Sequence, residues 1–404
     1  MQIEATLSPS RSSARRVVIV GGGSAGISVA ARLANANATV TIVDPSETHD
    51  YQPLWTLVGA GVLPREAARR RERDLIPRGV EWVREAVTGF EPDAKSVVTS
   101  SGRRIAYDVL VVAAGLQLDW GKVKGLEGNI GRNGICSNYA FETVSTTWDA
   151  IRTFKGGDAV FTHPATPIKC GGAPQKIMYL ADDAFRRQGV RGQSRIHFYS
   201  GEASIFKVEK YAAQLRAVIA RKEIEPPHFK HNLVEVRADA REAVFEDLDA
   251  KREVVQRFDL LHVTPPMSSP DFIKKSPLAA ATGWVEVDKF TCRHTRFPEV
   301  FALGDCSNLP TSKTGAAIRK QAPVVVTNVL DVLAGREPSA KYDGYTSCPL
   351  VTGYGSLILA EFDYDLNPAE SFPFDQSKER RSMYMLKRWL LPQLYWHGML
   401  KGRA

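Results

Sequence analysis

The sequence predicts an α/β fold built from two Rossmann-like dinucleotide-binding units, followed by an amphipathic C-terminal segment. Three observations carry this. A β-branched run, a glycine-rich turn and an alanine-rich stretch follow one another in "ARRVVIVGGGSAGISVAARLA", residues 14–34. An apolar run, a turn and a helical pattern recur around residues 158–188. Residues 383–400, "MYMLKRWLLPQLYWHGML", gather large apolar side chains beside basic ones.

The first unit has the order a dinucleotide requires. Gly21, Gly23 and Gly26 fill the GxGxxG positions, with Gly22 between them. They allow a tight turn, close backbone approach to a pyrophosphate, and close packing of helix on strand. The following helix N-terminus offers unpaired N–H groups to the phosphates. A second strand, "ATVTIVD", ends on Asp44, placed to accept hydrogen bonds from ribose hydroxyls.

Composition narrows the class. The chain has 404 residues, 44% of them hydrophobic, enough for two or three domains. A net charge of +8 comes partly from "REAARRRERD" (65–74) and "KERRSMYMLKR" (378–388). No recognition helix or aromatic-studded basic strand accompanies it, so nucleic acid is not the expected partner. An anionic membrane surface or substrate fits better. Five cysteines stand at 136, 170, 292, 306 and 348 without a CxxC pair. That pattern is neither a disulfide framework nor a zinc site, so no metal is expected. Residues 1–15 are Arg- and Ser-rich and read as a disordered arm, with no apolar core for a secretory signal.

The second unit departs from the pattern. Its turn, "HPATPIKCGGAPQK", carries Pro164, Pro167 and Pro174 and no GxGxxG in any register. Backbone without those glycines cannot approach a pyrophosphate, so no nicotinamide site is expected there. Cys170 occupies the turn, with Lys176 nearby and a helix following, which gives its thiol reason for a lowered pKa.

Two further stretches favour FAD over NAD in the first unit: "YDVLVVAAG" (107–115) and "TRFPEVFALGDC" (295–306), the second ending in Gly304-Asp305. With the glycine loop they resemble the two-dinucleotide-fold flavoprotein disulfide reductase superfamily, which implies Val87 as a backbone contact to adenine. The segments "YQPLWTLVGAG" (51–61), "IKCGGAPQKIMYLADDAF" (168–185), "LHVTPPMSSPD" (261–271), "LPTSKTGAAI" (309–318), "YDGYTSCPLVTGY" (342–354) and "FPFDQSKERRSMYMLK" (372–387) are similar to sulfide:quinone oxidoreductases of animal mitochondria and some bacteria. The resemblance runs from about residue 16 to the C-terminus.

That resemblance implies a redox pair of Cys170 and Cys348. A disulfide, or a pair bridged by an extra sulfur, is attacked by hydrogen sulfide as HS⁻, leaving a persulfide on Cys348 while Cys170 faces the flavin. It also implies Gly22 and Gly23 at the FAD phosphates, Asp44 at ribose, Gln52 near the flavin, Asp305 at the ribityl-phosphate region, and Lys313 at the ring's N1–C2 edge. Cys136, Cys292 and Cys306 have no matching role and are expected to be inert. By the same resemblance, electrons are expected to pass from FAD to ubiquinone, and the sulfur to a small acceptor such as glutathione, sulfite or coenzyme A. The expected division is 16–150 and 276–340 for FAD, 151–275 for the second unit, and 341–404 for the C-terminal region.

Residues 383–400 are too short and broken, by Pro392, to span a bilayer. They are expected to form two interfacial helices that admit quinone, with Lys387, Trp389, Tyr395 and Trp396 at its entrance. The protein is expected on a membrane surface, the cytoplasmic face of a bacterial inner membrane or alternatively the mitochondrial inner membrane; a homo-oligomer is compatible with the sequence. A type II NADH:quinone reductase shares the architecture but needs the second phosphate loop, and a non-catalytic flavin sensor has no use for the cysteine pair.

Overall fold

The computed structural model describes residues 15–404. The expected disordered arm lies outside the described residues, except Arg15, which begins the first strand. Strand β1 (Arg15–Val20) leads through the glycine turn into α1 (Ser24–Leu33) and on to β2 (Ala38–Val43). β1 pairs in parallel with β2 on one edge and with Val109–Val112 on the other. Val80–Val83 extends the sheet beyond β2, and Val300–Ala302 closes the far side. Helices cover such a sheet, so its strands read as unbroken apolar runs; Val17, Ile19, Val109, Leu110 and Phe301 have no exposed surface.

A second five-stranded parallel sheet is centred on β3 (Gly157–His163). Its neighbours are Ser194–Ser200 and Leu260–His262, with Ile135–Cys136 and His228–Phe229 at the edges. The loop after β3 runs into α2 (Ala173–Gln188), which ends on Gly189 in the left-handed conformation. One apolar core runs through both units. The Val300–Ala302 strand returns to the first sheet after the second is complete, so Asp305 ends up beside the glycine loop's sheet despite its distance in sequence.

Strands β4 (Thr346–Gly353) and β5 (Ser356–Phe362) form an antiparallel hairpin against α2. Cys348 lies inside β4. Pro349 blocks a helix but is tolerated here because the ribbon has only two strands, leaving one edge without ladder bonds.

The C-terminal segment corrects the expectation of two helices. Residues 381–401 form one continuous helical run with two wide π-type turns, at Leu386–Leu390 and Leu394–Gly398. Pro392 falls at the start of the short helical piece between them, where its missing N–H costs least. Among the described residues no helix is long and apolar enough to cross a membrane.

Nor is the run wholly superficial. Trp389 and Leu390 are 53% and 59% exposed, with Met385 and Leu394 beside them. Met383, Tyr384, Tyr395, Trp396, Met399 and Leu400 are buried in the main core. The run's end packs on α1, and the Arg32 guanidinium donates to the Ala404 carbonyl. Tyr395 and Trp396, expected at a quinone entrance, are therefore packed inside, because the π-type turns rotate them away from the Trp389 face.

Burial of six such side chains contributes on the order of 10 kcal/mol, comparable with the whole stability of a domain. Truncation after Ser382 is expected to give aggregated protein. Replacing Trp389 and Leu390 by Ser is expected to leave the melting temperature within a few degrees of the parent. Thermal unfolding of the two variants checks this.

Candidate functional site

Three segments converge on Cys170. The Cys170 N–H donates to the Lys313 carbonyl at 2.8 Å, and Lys169 and Lys313 form a parallel bridge. Thr314 caps the helix Gly315–Leu333 by accepting from the Ala317 N–H, and its hydroxyl meets that of Thr346 at 2.8 Å. Thr346 opens β4, two residues before Cys348. The sulfurs of Cys170 and Cys348 are thereby 3.8 Å apart, across 178 residues of chain.

The glycines of the second unit's turn take a different role from phosphate binding. A Cβ on Gly172 would lie 2.3 Å from Leu350 Cδ2 and 3.7 Å from Cys348 Cβ. Gly172 lets the loop lie directly on β4. Cys170 itself has φ +55°, a left-handed conformation unusual for a side-chain-bearing residue, and this turns its sulfur toward β4.

The two thiols differ. Lys176, 3% exposed and one turn into α2, places Nζ 3.3 Å from Cys170 Sγ. The hydrogen bond from Cys348, together with the Lys176 charge, holds the Cys170 thiol well below its ordinary range despite burial. Cys348 is pushed well above it, since it donates to Cys170 and has no exposed surface. In the reduced pair Cys170 is the more readily ionised sulfur and Cys348 the less. Burial pushes Cys136 and Cys292 up to about 12 and Cys306 to about 11, where they are poor nucleophiles.

At the first unit Gly21 has φ +107°, and a Cβ there would meet the Ala113 carbonyl oxygen at 2.5 Å. A Cβ on Gly26 would lie 1.8 Å from the Gly21 oxygen, whereas one on Gly23 meets nothing within 4 Å. The loop is thus sealed against sheet and helix and open on the side a pyrophosphate would take. Asp44 follows β2 directly; its carboxylate accepts from the Gly22 N–H at 2.6 Å. Buried Asp305 Oδ1 has no hydrogen-bond partner among the described residues, and burial raises that carboxyl above its usual range. An orphaned acceptor beside an open glycine cradle fits a dinucleotide with hydroxyl donors, as FAD has. Val87 opens a strand, Val87–Glu91, in a separate three-stranded antiparallel sheet and pairs with Thr99.

Lys313 donates to the Asp305 and Ser307 carbonyls at 2.8 and 2.9 Å and lies over the Trp284 ring. Sequence reasoning missed Lys169, whose only signal was adjacency to Cys170. Its Nζ donates to Gln52 Oε1 at 2.7 Å and to the Tyr139 carbonyl at 3.0 Å, and burial pushes it down to about 8. Lys387, expected at a surface entrance, is 4% exposed and donates to the Pro53 carbonyl. Burial, with the Lys176 charge, pushes it down to about 7.

Comparison with known proteins places this arrangement. Residues 15–147 match the pyridine nucleotide-disulphide oxidoreductase family model. The mitochondrial sulfide:quinone oxidoreductase of Mus musculus is 49% identical over 389 residues, 96% of this chain and 86% of that one. The chain belongs to the sulfide:quinone oxidoreductase family. Its mitochondrial counterpart in Dictyostelium discoideum is 48% identical, over 96% of this chain and 86% of that one. The crystal structure of the Aquifex aeolicus sulfide:quinone oxidoreductase superposes with a TM-score of 0.81 at 18% identity, covering 97% of this chain and 92% of that one. The family is a flavoprotein one, and the chain is an FAD-dependent oxidoreductase.

In the reduced protein Cys170 is expected to react with iodoacetamide at pH ~6, where an ordinary thiol of pKa about 8.5 is almost wholly protonated. Lys176→Met should move that reactivity to higher pH, and Cys136, Cys292 and Cys306 should stay unmodified until unfolding. Peptide mass mapping reads each site; equal labelling of Cys170 and Cys306 would contradict the assignment.

Proposed function

We propose that this protein oxidises hydrogen sulfide at the Cys170–Cys348 pair and delivers the two electrons to a membrane quinone. The observation that carries the reading is the 3.8 Å sulfur pair with Lys176 against only one of its members. In the oxidised pair HS⁻ attacks Cys348 Sγ, the S–S bond breaks, and Cys170 leaves as thiolate. Cys348 keeps the new sulfur as a persulfide. The direction follows from the pair's asymmetry: the lower-pKa sulfur is the better leaving group, and Lys176 neutralises the charge it acquires.

FAD, when bound, supplies the two-electron relay between sulfur and quinone. The chain's own residues hold it through the Gly21–Gly26 loop and Asp44, with Asp305, Lys313, Gln52 and Val87 as further contacts. Lys169, bonded to Gln52, joins the cysteine loop to that set. A small nucleophilic acceptor then takes the sulfane sulfur from Cys348 and regenerates its thiolate.

Seating on a membrane surface is supported by the exposed stripe of Met385, Trp389, Leu390 and Leu394. Arg381, Arg388, Lys401 and Arg403 lie along the same run, and the described structure gives none of them an acidic partner. Indole and leucine side chains flanked by cations suit an anionic interface. With Trp389 on that face and Lys387 between it and the cysteines, a quinone would enter along this run. The named relatives are mitochondrial proteins.

Anaerobic sulfide is expected to bleach the flavin absorbance of the holoprotein, and NADH or NADPH to leave it unchanged, because the turn at 164–172 lies on β4 instead of opening to a pyrophosphate. Bleaching by NADH would refute the reading. Cys170→Ser and Cys348→Ser should each retain FAD but lose sulfide-dependent quinone reduction by several orders of magnitude, since one thiol presents no S–S bond. Cys136→Ser, Cys292→Ser and Cys306→Ser should stay within a few-fold of the parent in steady-state assays.

A further inference from the structure

A buried polar chain flanks the glycine loop and joins three distant parts of the sequence. Glu72 Oε2 lies 3.2 Å from His49 Nδ1, His49 Nε2 meets the Tyr395 hydroxyl, and that hydroxyl lies 2.6 Å from Ser24 Oγ. Glu72, His49 and Tyr395 are 1%, 3% and 4% exposed. Ser24 is the first residue of α1, directly after Gly23. At the other end, a Cβ on Gly22 would lie 2.5 Å from Glu72 Oε1, so this carboxylate rests on the loop. Oε1 is buried and has no hydrogen-bond partner among the described residues.

Such a chain runs in one direction at a time, because each hydroxyl has a single proton to give. With Glu72 ionised and His49 neutral, Nδ1–H donates to Glu72, Nε2 accepts from Tyr395, and Tyr395 accepts from Ser24. The Ser24 hydroxyl then points away from the loop. One more proton on the His49–Glu72 pair reverses the order. Nε2–H donates to the Tyr395 oxygen, Tyr395 donates to Ser24 Oγ, and the Ser24 proton is released toward the loop. An anion there favours the second arrangement.

We propose that Tyr395 is a positioning residue for the cofactor: through His49 and Glu72 it turns the Ser24 hydroxyl onto the pyrophosphate, and FAD binding takes up one proton at the His49–Glu72 pair. This rests on the glycine loop being the FAD phosphate site, and not on the sulfur chemistry. Other charged groups face the chain. Asp44 neighbours Glu72, while Asp50 lies near Tyr395 and is held by Arg69. Arg70 pairs across from His49 and covers the Trp396 ring. The Tyr51 ring stacks on Tyr395 at 4.2 Å, its own hydroxyl pushed up by burial. Burial raises the Glu72 carboxyl, the contact with His49 opposes it, and Asp44 adds to it.

The full-length holoprotein is diluted at pH values from ~6 to ~8.5 and released FAD is read by its fluorescence, giving Kd at each pH. Linkage requires log Kd to rise with pH, by up to one decade per unit where the pair has lost its proton. Tyr395→Phe keeps the ring on Tyr51 but cuts the chain and frees the Ser24 hydroxyl to donate to the loop at every pH; its Kd should equal the parent's at pH ~6 and stay flat as pH rises. Ser24→Ala removes that donor without touching the core and should weaken FAD about tenfold at pH ~6, the size of one hydrogen bond to a charged group, with the slope flattened as well. A slope in both variants equal to the parent's, or no slope in the parent, overturns the proposal. Failure of the parent to bind FAD at all overturns the cofactor reading and the relay with it.

Discussion

The close seating of the Cys170 loop on β4 is the contact on which the site depends. It exists because Gly172 has no side chain: any Cβ would occupy the place of Leu350. A glycine that in a nucleotide-binding turn would admit a phosphate here admits another strand. Once the loop lies on β4, Cys170 faces Cys348, the Cys170 N–H reaches the Lys313 carbonyl, and α2 starts where Lys176 meets the sulfur. The same packing that lays this turn on β4 also sets the two sulfurs side by side.

Buried cations give the site its electrostatic character. Lys176, Lys169, Lys313 and Lys387 all lie close to the cysteines or the Asp305 region, and the carboxylate among them, Asp305, is raised by burial. Desolvation of an ammonium is costly unless an anion offsets it. Lys176 has the Cys170 thiolate. Lys169, Lys313 and Lys387 have neutral oxygens, and burial accordingly depresses each of them. A pocket in this condition favours anions that arrive or form within it: a thiolate, HS⁻, or a reduced ring carrying negative charge. The protein's net charge of +8 is only loosely related to this, since most basic side chains are at the surface.

The C-terminal run combines roles that amphipathic segments usually keep apart. One face holds Tyr395, Trp396, Met399 and Leu400 against the FAD unit, and another leaves Trp389 and Leu390 in solvent. The π-type turns change the angular spacing enough to present both sets from one short helix. Lys387, between the two sets, reaches inward to the Pro53 carbonyl. An exposed apolar face and a core-packed face therefore share one element.

Period and order of residue types were enough to read the two parallel units, the glycine loop with Asp44 following β2, and a second turn without the GxGxxG pattern. These are local features: each depends on residues within one strand–turn–helix, whose hydrogen-bonding and steric needs are written in adjacent positions. Cys170 and Cys348 were named through family resemblance, since nothing in a spacing of 178 residues implies contact. Their separation, their unequal protonation and the role of Gly172 came from the packing of α2 on β4. The basic run 65–74 shows the same limit. By composition it is a solvated surface, yet it contains Glu72, buried beside the glycine loop because the short strand Arg69–Arg71 turns it inward against His49. The tail was misjudged for a related reason: Pro392 suggested a break, and only the surrounding core decides whether a wide helical turn is worth forming there. Local sequence determines what an element is; which of its faces meets which other element is settled by burial over the whole chain, where contacts between distant residues outweigh local preference.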